Sequence, residues 1–226
     1  MGHASLLRLL QTFDSAFPSG SFAFSNGLEV LNQEIKLLEK IDLKDILLEQ
    51  FLPRWFEFDR YFIRKAFEAD GNIADLLELD KKCHIQNSNA ALAASSRRIG
   101  RSLLSVHIKI GTAGAIDFWD ASSKLILNEQ RGYQPIVIGL VGWGLQISRK
   151  EVEAGAVYGA LSSFFSAAVR LGLMGAIEAQ GTISEVIPEI DRMLEDGPPD
   201  FAYSNAILSE IAASRHKDLE ISLFSN

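Results

Sequence analysis

Few side chains in this sequence have the type and spacing to do chemistry. Cys83 and His84 are the only adjacent pair of soft ligands. Neighbours on a helix point about 100° apart, and no CxxC or HxxxH spacing supplies the further ligands of a tetrahedral metal site. Ser214 and Lys217 form an S-x-x-K spacing, which in penicillin-interacting enzymes places an amine beside a nucleophile. For Cys83 and His84 the competing interpretation is a buried thiol beside a surface imidazole. For Ser214 and Lys217 it is a chance match.

Signatures of the common enzyme classes are absent from the sequence. No glycine precedes a lysine, so the GxxxxGK[ST] phosphate loop is missing, and no GxGxxG, HExxH, EF-hand loop or GxSxG elbow occurs. His107 lies near the predicted end of a helix, where a cation stabilises the carbonyl end. This pattern favours a protein without catalytic activity.

The charge balance argues against nucleic acid as a partner. Lys and Arg number 22 against 29 Asp and Glu, a formal charge of −7, whereas nucleic-acid binding needs a basic face. The densest basic cluster contains Arg97, Arg98 and Arg101. It is interpreted as a solvated helix face or, alternatively, as a protein-binding patch.

The number of cysteines and the length of the apolar stretches indicate the cellular compartment in which the protein is expected. A single cysteine excludes an intrachain disulfide framework and favours a reducing compartment. The longest uncharged stretches fall short of the roughly 20 apolar residues that a membrane span needs, and the N-terminus lacks the pattern of a signal peptide. We therefore expect a cytoplasmic protein that does not span a membrane.

Apolar residues recur at helical spacing throughout, which predicts an all-α protein, a single compact bundle of about ten helices in one domain over residues 1–226. A long apolar stripe from residue 42 to about 69 is expected to kink or split at Pro53. Ser148 and Glu151 predict a capping box. Separate helices are predicted over 174–185 and 188–194, and small residues near Gly155 and Gly159 suit close helix packing or, alternatively, a partner surface.

Residues 1–27 are predicted to form a loop-rich N-terminal segment. Phe17, Phe22 and Phe24 lie in it and are too apolar for free solvent, so the loop is expected to be ordered. Asp14 precedes this stretch, and its carboxylate is suited to accept loop amides in an Asx-type turn. A partner-facing loop is the alternative interpretation of the same residues.

Three segments resemble the urease accessory protein UreF family. Residues 14–29, DSAFPSGSFAFSNGLE, are similar to its N-terminal signature. Residues 170–180, RLGLMGAIEAQ, resemble its R-L-x-P-L-G-Q-x-x-x-Q segment, and residues 214–224, SRHKDLEISLF, its R-H-x-x-L-x-x-R-L-F segment. Leu173, Ala176 and Ser222 depart from the family pattern, and serine cannot supply the planar fork of donors of the arginine usual at position 222.

The resemblance implies an all-α, often dimeric, non-enzymatic chaperone. Its expected partners are UreD (also called UreH), the GTPase UreG, apo-urease and a second copy of the chain. Such proteins are thought to bridge UreD and UreG, to regulate GTP hydrolysis and to help pass nickel to the urease active site. No cofactor is expected to bind tightly, and nickel is expected only as transient cargo.

Two other functions are compatible with the same residues. A generic helical adaptor would share the fold but serve another client. A small enzyme would use Cys83 with His84 or Ser214 with Lys217.

The predicted partner-binding residues fall in the three segments that carry the resemblance, and residues 214–226 are predicted to be a partner-binding tail. Apolar residues near a chain end usually fray unless something ties them down; packing on the protein's own core is the alternative. The predicted residues are Asp14, Phe17, Pro18, Gly20, Phe22, Phe24, Arg170, Gly175, Gln180, Arg215, His216, Leu223 and Phe224.

Overall fold

The computed structural model is built from helices. It describes residues 2–25, 27–33, 42–87, 89–124, 132–215 and 224, and no strand occurs among them. The α-helices are α1 (His3–Phe13), α2 (Leu28–Gln33), α3 (Leu43–Ile46), α4 (Leu52–Arg54), α5 (Arg60–Glu68), α6 (Ile73–Gln86), α7 (Ala90–Lys109), α8 (Ala115–Ser123), α9 (Gln134–Gly144), α10 (Arg149–Arg170), α11 (Ala176–Glu195) and α12 (Ile207–Arg215). The prediction of an all-α fold with about ten helices is confirmed, because α3 to α5 form one uninterrupted run.

The split into two helices, one of the two outcomes expected at Pro53, is absent. The helical run is continuous, and π-helical stretches, Leu47–Phe51 and Trp55–Asp59, lie on either side of α4. A proline removes a backbone donor and crowds the preceding turn, and a π-helical turn is a local way to accommodate such a change in the ladder. The apolar stripe therefore stays continuous and buries Leu52, Phe58 and Phe62.

Helices α5, α7 and α9 form the centre of the core, and glycines set how closely their backbones approach. A Cβ atom added to Gly139 of α9 would lie 2.4 Å from the carbonyl oxygen of Ile63 in α5. A Cβ atom added to Gly100 of α7 would lie 2.1 Å from the carbonyl oxygen of Gly132. Neither position has room for a side chain.

Helix α10 crosses the core and begins with the predicted capping box of Ser148 and Glu151, which is confirmed. In the part of the chain that the structure describes, it is the one helix long and apolar enough to cross a membrane, and 61% of its most apolar window is buried inside the protein. A Cβ atom on Gly155 would lie 2.5 Å from the ring of Phe13 in α1. The prediction that its small residues serve helix packing is confirmed at this contact.

Helix α11 corrects the sequence prediction. The two helices expected over 174–185 and 188–194 are one helix, with Pro188 inside it. Because its inner face stays buried on both sides of the proline, tertiary packing outweighs the local cost of the lost hydrogen bond. The buried residues of that face are Ala179, Ile183, Val186 and Ile190. The spacing of Asn26 and Glu29 predicts a cap at the start of α2, but Asn26 lies outside the described residues.

Candidate partner-binding site

The signature loop, residues 14–25, leaves α1 through a tight turn. The Oδ1 atom of Asp14 accepts a hydrogen bond from the amide of Ala16 at 2.6 Å, and the carbonyl of Asp14 accepts from the amide of Phe17 at 3.0 Å. The predicted Asx turn is therefore present. Gly20 has a φ of 78°, a left-handed conformation that favours glycine, and it leads into a short 3-10 turn, Ser21–Ala23.

Two aromatic rings fix this loop on the core. Phe17 is 9% exposed, and its ring stacks on that of His107 with centroids 5.2 Å apart. Phe24 is buried, and the guanidinium of Arg98 lies 5.7 Å from its ring centroid. Phe22 is half-buried. The loop is thus ordered by its own core contacts, while Pro18 and Gly20 remain exposed.

Side chains from two helices hold the loop's carbonyl groups. Ser102 Oγ of α7 donates to the carbonyl of Pro18 at 3.0 Å, and Ser163 Oγ of α10 donates to that of Ser21 at 3.2 Å. Neither serine was predicted as a site residue, because a serine among other small residues in a helix carries no local sign of a distant acceptor. Their hydrogen bonds fix the backbone that a partner would meet.

Arg170, the last residue of α10, joins two of the predicted segments. Its Nη1 atom donates to the carbonyl of Phe22 at 2.6 Å, and its guanidinium lies 4.2 Å from the ring centroid of Phe224. Phe224 is 6% exposed, so its ring packs on the protein's own core. The three segments that carry the family resemblance therefore meet at one exposed arginine, which we call the Arg170 junction: Arg170, Phe22 and Phe224.

The other predicted residues lie around this junction or beyond it. Gly175 is exposed, and its amide donates to Glu178 Oε2 at 3.2 Å at the start of α11. Gln180 lies on the exposed side of α11, and Arg215 is the exposed last residue of α12. His216 and Leu223 lie outside the described residues.

The basic cluster on α7 is partly exposed, and its arginines contact aromatic rings. Arg97 lies 5.4 Å from the ring centroid of Tyr133, and its Nη1 donates to the hydroxyl of that tyrosine at 2.5 Å. Arg101 lies 4.3 Å from the ring of Trp119. With the exposed Arg98 near Phe24, each guanidinium lies over an aromatic ring from another segment, so this face is partly solvated and also contacts the rest of the fold. Cation–π contacts of this kind hold neighbouring segments together.

His107 also differs from its predicted role. The sequence suggested a cation at the end of a helix, but His107 is buried, and burial lowers its pKa from 6.5 to about 4. Its Nδ1 atom lies 2.9 Å from Thr112 Oγ1. The imidazole is therefore neutral near pH 7 and supports Phe17 by stacking.

A cavity of about 140 Å³ lies behind the signature loop. Among the side chains that line it are Thr12, Phe22, Asp59 and Gln134. Burial raises the pKa of Asp59, an effect that the positive charge of Arg54 partly offsets. The described residues hold no group of three or more His, Cys, Asp or Glu side chains placed to bind a metal ion.

The two candidate reactive pairs have separate environments. Cys83 is completely buried, and burial, followed by the charges of Asp59 and Asp80, raises its pKa well above the ordinary value. Its neighbour His84 is partly exposed, with Nδ1 2.7 Å from the hydroxyl of Tyr133. A buried thiol with a raised pKa is poor in the reactive thiolate.

The second pair is only partly described. Ser214 Oγ accepts a hydrogen bond from Asn89 Nδ2 at 2.8 Å, and Lys217 lies outside the described residues.

Comparison with known proteins agrees with the resemblance. Residues 39–187 match the family model described as UreF. A protein of Trichodesmium erythraeum named urease accessory protein UreF is 25% identical, with 97% of this chain and 96% of the relative covered. Proteins of the same name from Actinobacillus pleuropneumoniae and Agrobacterium fabrum are 24% and 26% identical, covering 96% and 99% of this chain and 96% and 97% of their own lengths. Since the family model spans well over half of the chain and the relatives align along nearly all of it, this protein belongs to the UreF family.

Proposed function

We propose that this protein is a non-enzymatic urease accessory scaffold. It bridges UreD/UreH and the GTPase UreG on apo-urease and regulates the GTP-dependent insertion of nickel into the urease active site. It acts in the cytoplasm as a homodimer, and nickel is transient cargo rather than a resident cofactor. Membership of the UreF family and the relatives' name, urease accessory protein, support this proposal.

The Arg170 junction is the observation that carries the proposal. Arg170 contacts Phe22 of the signature loop and Phe224 near the chain end, which are far apart in sequence. A guanidinium already held by a carbonyl and a ring loses less freedom when a partner binds, because part of the ordering cost is met during folding. Arginine is also enriched among the residues that dominate binding energy at interfaces. The junction is therefore suited to recognise a partner protein.

Surface exposure indicates how the partner would meet this site. Pro18, Gly20 and Arg170 are exposed, whereas the rings of Phe17, Phe24 and Phe224 are buried. The buried rings set the shape of the loop, and the exposed backbone and guanidinium make the contact. The buried aromatic rings, which the sequence predicts to bind a partner directly, would then act by holding the exposed contact residues in position.

Co-purification with UreD and UreG from the same source, followed by size exclusion with light scattering, tests the proposal. Arg170→Ala is expected to weaken the complex by more than about tenfold, the effect of losing a principal arginine at an interface. Arg8→Ala is the control, since Arg8 is also exposed and also donates to a backbone carbonyl, that of Leu145 at 3.2 Å. Separate folded species for the wild-type protein in every nucleotide and nickel condition would contradict the scaffold and favour an adaptor for another client.

A truncation tests whether the C-terminal residues contribute to partner binding. Removing residues 219–226 takes away Phe224, whose ring lies against the guanidinium of Arg170. We expect weaker capture of UreD with helix content retained in the circular dichroism spectrum. Unchanged capture would remove the tail from the proposed site.

A further inference from the structure

Helix α11 exposes one apolar side chain on the side away from the core and a second on its flank. Ile177 is 90% exposed and Ile187 is 50% exposed. The opposite side of the same helix is buried and holds α11 on the protein. An isoleucine side chain this exposed contributes little burial free energy to folding. Exposed apolar patches framed by polar residues often mark interaction sites. We call this side the outer face of α11.

The outer face has a shallow open centre. Ile177, Gly181, Ser184 and Pro188 follow one another at spacings of four and three, so they share a side of the helix. A Cβ atom on Gly181 would meet nothing within 4 Å. Small residues between larger ones let a second helix backbone approach closely. The exposed isoleucines thus flank a stretch of small residues on which a second helix could pack.

The proline adds a hydrogen-bond acceptor to the same face. Pro188 has no N–H, so the carbonyl of Ser184, four residues earlier, lacks its usual helical donor. Ser184 and Pro188 are both exposed. At a buried position a carbonyl without a hydrogen-bond donor would cost free energy. On an open face, a donor from a partner protein can hydrogen-bond to it.

The charges on the outer face indicate which kind of partner could bind there. Asp191, Glu195 and Asp196 are exposed at the carboxyl end of α11. In the described part of the chain none of the three has an ion pair, and Arg192, the one Lys or Arg of α11, pairs with Glu189. This end of the face is complementary to positive charge.

We propose that the outer face of α11 docks a basic amphipathic helix of a partner protein. Apolar side chains of that helix lie between Ile177 and Ile187, and its Lys or Arg side chains lie opposite Asp191 and Glu195. A second copy of this chain fits less well, because the same face of its α11 has no unpaired cation to offer to Asp191 and Glu195: Arg192, the one Lys or Arg of this helix, pairs with Glu189. The inference rests on the proposed function, since a bridging protein needs a second surface besides the Arg170 junction.

The test uses a fluorescein-labelled peptide of about 18 residues, long enough to form a helix, with leucine on one side and lysine on the other. Binding is followed by anisotropy at several salt concentrations. Ile177→Asp and the double variant Asp191→Lys/Glu195→Lys are each expected to weaken binding by about tenfold or more. Matched controls are Ile85→Asp, at a position 68% exposed on α6, and Asp117→Lys/Asp120→Lys on α8, which changes the net charge equally. The controls should change binding by less than about twofold, and added salt should weaken it.

Several outcomes would overturn the proposal. Equal binding by the α11 variants and the controls would exclude this face as a docking site. Conversion of a dimer to a monomer by the α11 variants, with peptide binding unchanged, would identify a second copy as the occupant. In parallel co-purification, Ile177→Asp is expected to lose one urease accessory protein while Arg170→Ala loses the other. If the wild-type protein binds neither accessory protein, the proposed function fails, whereas the peptide experiment still decides whether the face binds a basic helix.

Discussion

The Nε atom of Arg60 lies 2.7 Å from the Oε2 atom of Glu153, and these side chains are only 2% and 3% exposed. Arg64 donates to the same carboxylate at 2.9 Å. The remaining donors of Arg60 bind the carbonyls of Met193 and Leu194 at 2.8 and 2.5 Å. One buried arginine thus joins α5 to α10 and caps the end of α11, which fixes the helix whose outer face we propose to bind a partner.

Removing the carboxylate should leave this arginine buried without its counterion. We expect Glu153→Ala to lower the free energy of unfolding by about 3–5 kcal/mol, the usual cost of breaking a buried pair. Burial acts to raise the pKa of Glu153, but hydrogen bonds from Arg64 and Arg60 outweigh it and lower the pKa. Urea denaturation measures the loss. Glu78→Ala, which removes an exposed partner of Lys82 at 3.6 Å, should cost less than about 1 kcal/mol; similar losses for both variants would contradict the prediction.

Acid should destabilise the protein through His107. The unfolded chain takes up a proton on this imidazole below about pH 6.5, whereas the folded protein does so only near pH 4, because the ring is buried. Stability is therefore lost as the pH falls from about 6.5 to about 4, by roughly 3 kcal/mol in total at 1.36 kcal/mol per pKa unit. Unfolding free energies measured in urea across this range test the prediction. His107→Gln should flatten the profile above about pH 5, and an unchanged profile would show that another group is responsible.

The close approach of α9 to α5 should not tolerate a methyl group. In Gly139→Ala the new Cβ would lie 2.4 Å from the carbonyl oxygen of Ile63, a backbone atom that cannot turn aside. We expect a loss of about 1–3 kcal/mol or more from overpacking. Gly181→Ala is the control in another helix, with open space at the Cβ position, and should raise stability by up to about 1 kcal/mol through helix propensity. Thermal unfolding measures the stability of both variants. A Gly139→Ala variant as stable as the wild-type protein would contradict the packing argument.

The thiol of Cys83 should be inert in the folded protein. Burial and the nearby carboxylates of Asp59 and Asp80 raise its pKa, so Ellman's reagent should react slowly with the native protein and rapidly in urea. Cys83→Ala and Lys217→Ala are both expected to support urease activation in cells as the wild-type protein does. A near-complete loss of activation with either variant would reopen the interpretation of this protein as an enzyme.

Several features could be predicted from the sequence because they depend on neighbouring residues. Asn72 accepts hydrogen bonds from the amides of Ala74 and Asp75 at the start of α6, as its position before an apolar stripe indicates. The capping box of Ser148 and the Asx turn of Asp14 are equally local. The helical character of the chain follows from apolar periodicity.

The sequence alone thus determined the helical character of the chain, the caps at Asn72 and Ser148 and the three segments that resemble the UreF family, since each is encoded in short-range patterns of residues. Only the tertiary structure decided that α11 continues through Pro188, that His107 is neutral, and that Phe17 and Phe24 face inward. It also brought the carbonyl of Phe22 to Arg170, 148 residues away. These outcomes depend on burial and on contacts between distant residues, and such contacts outweigh local preference because most helical stability in proteins comes from packing.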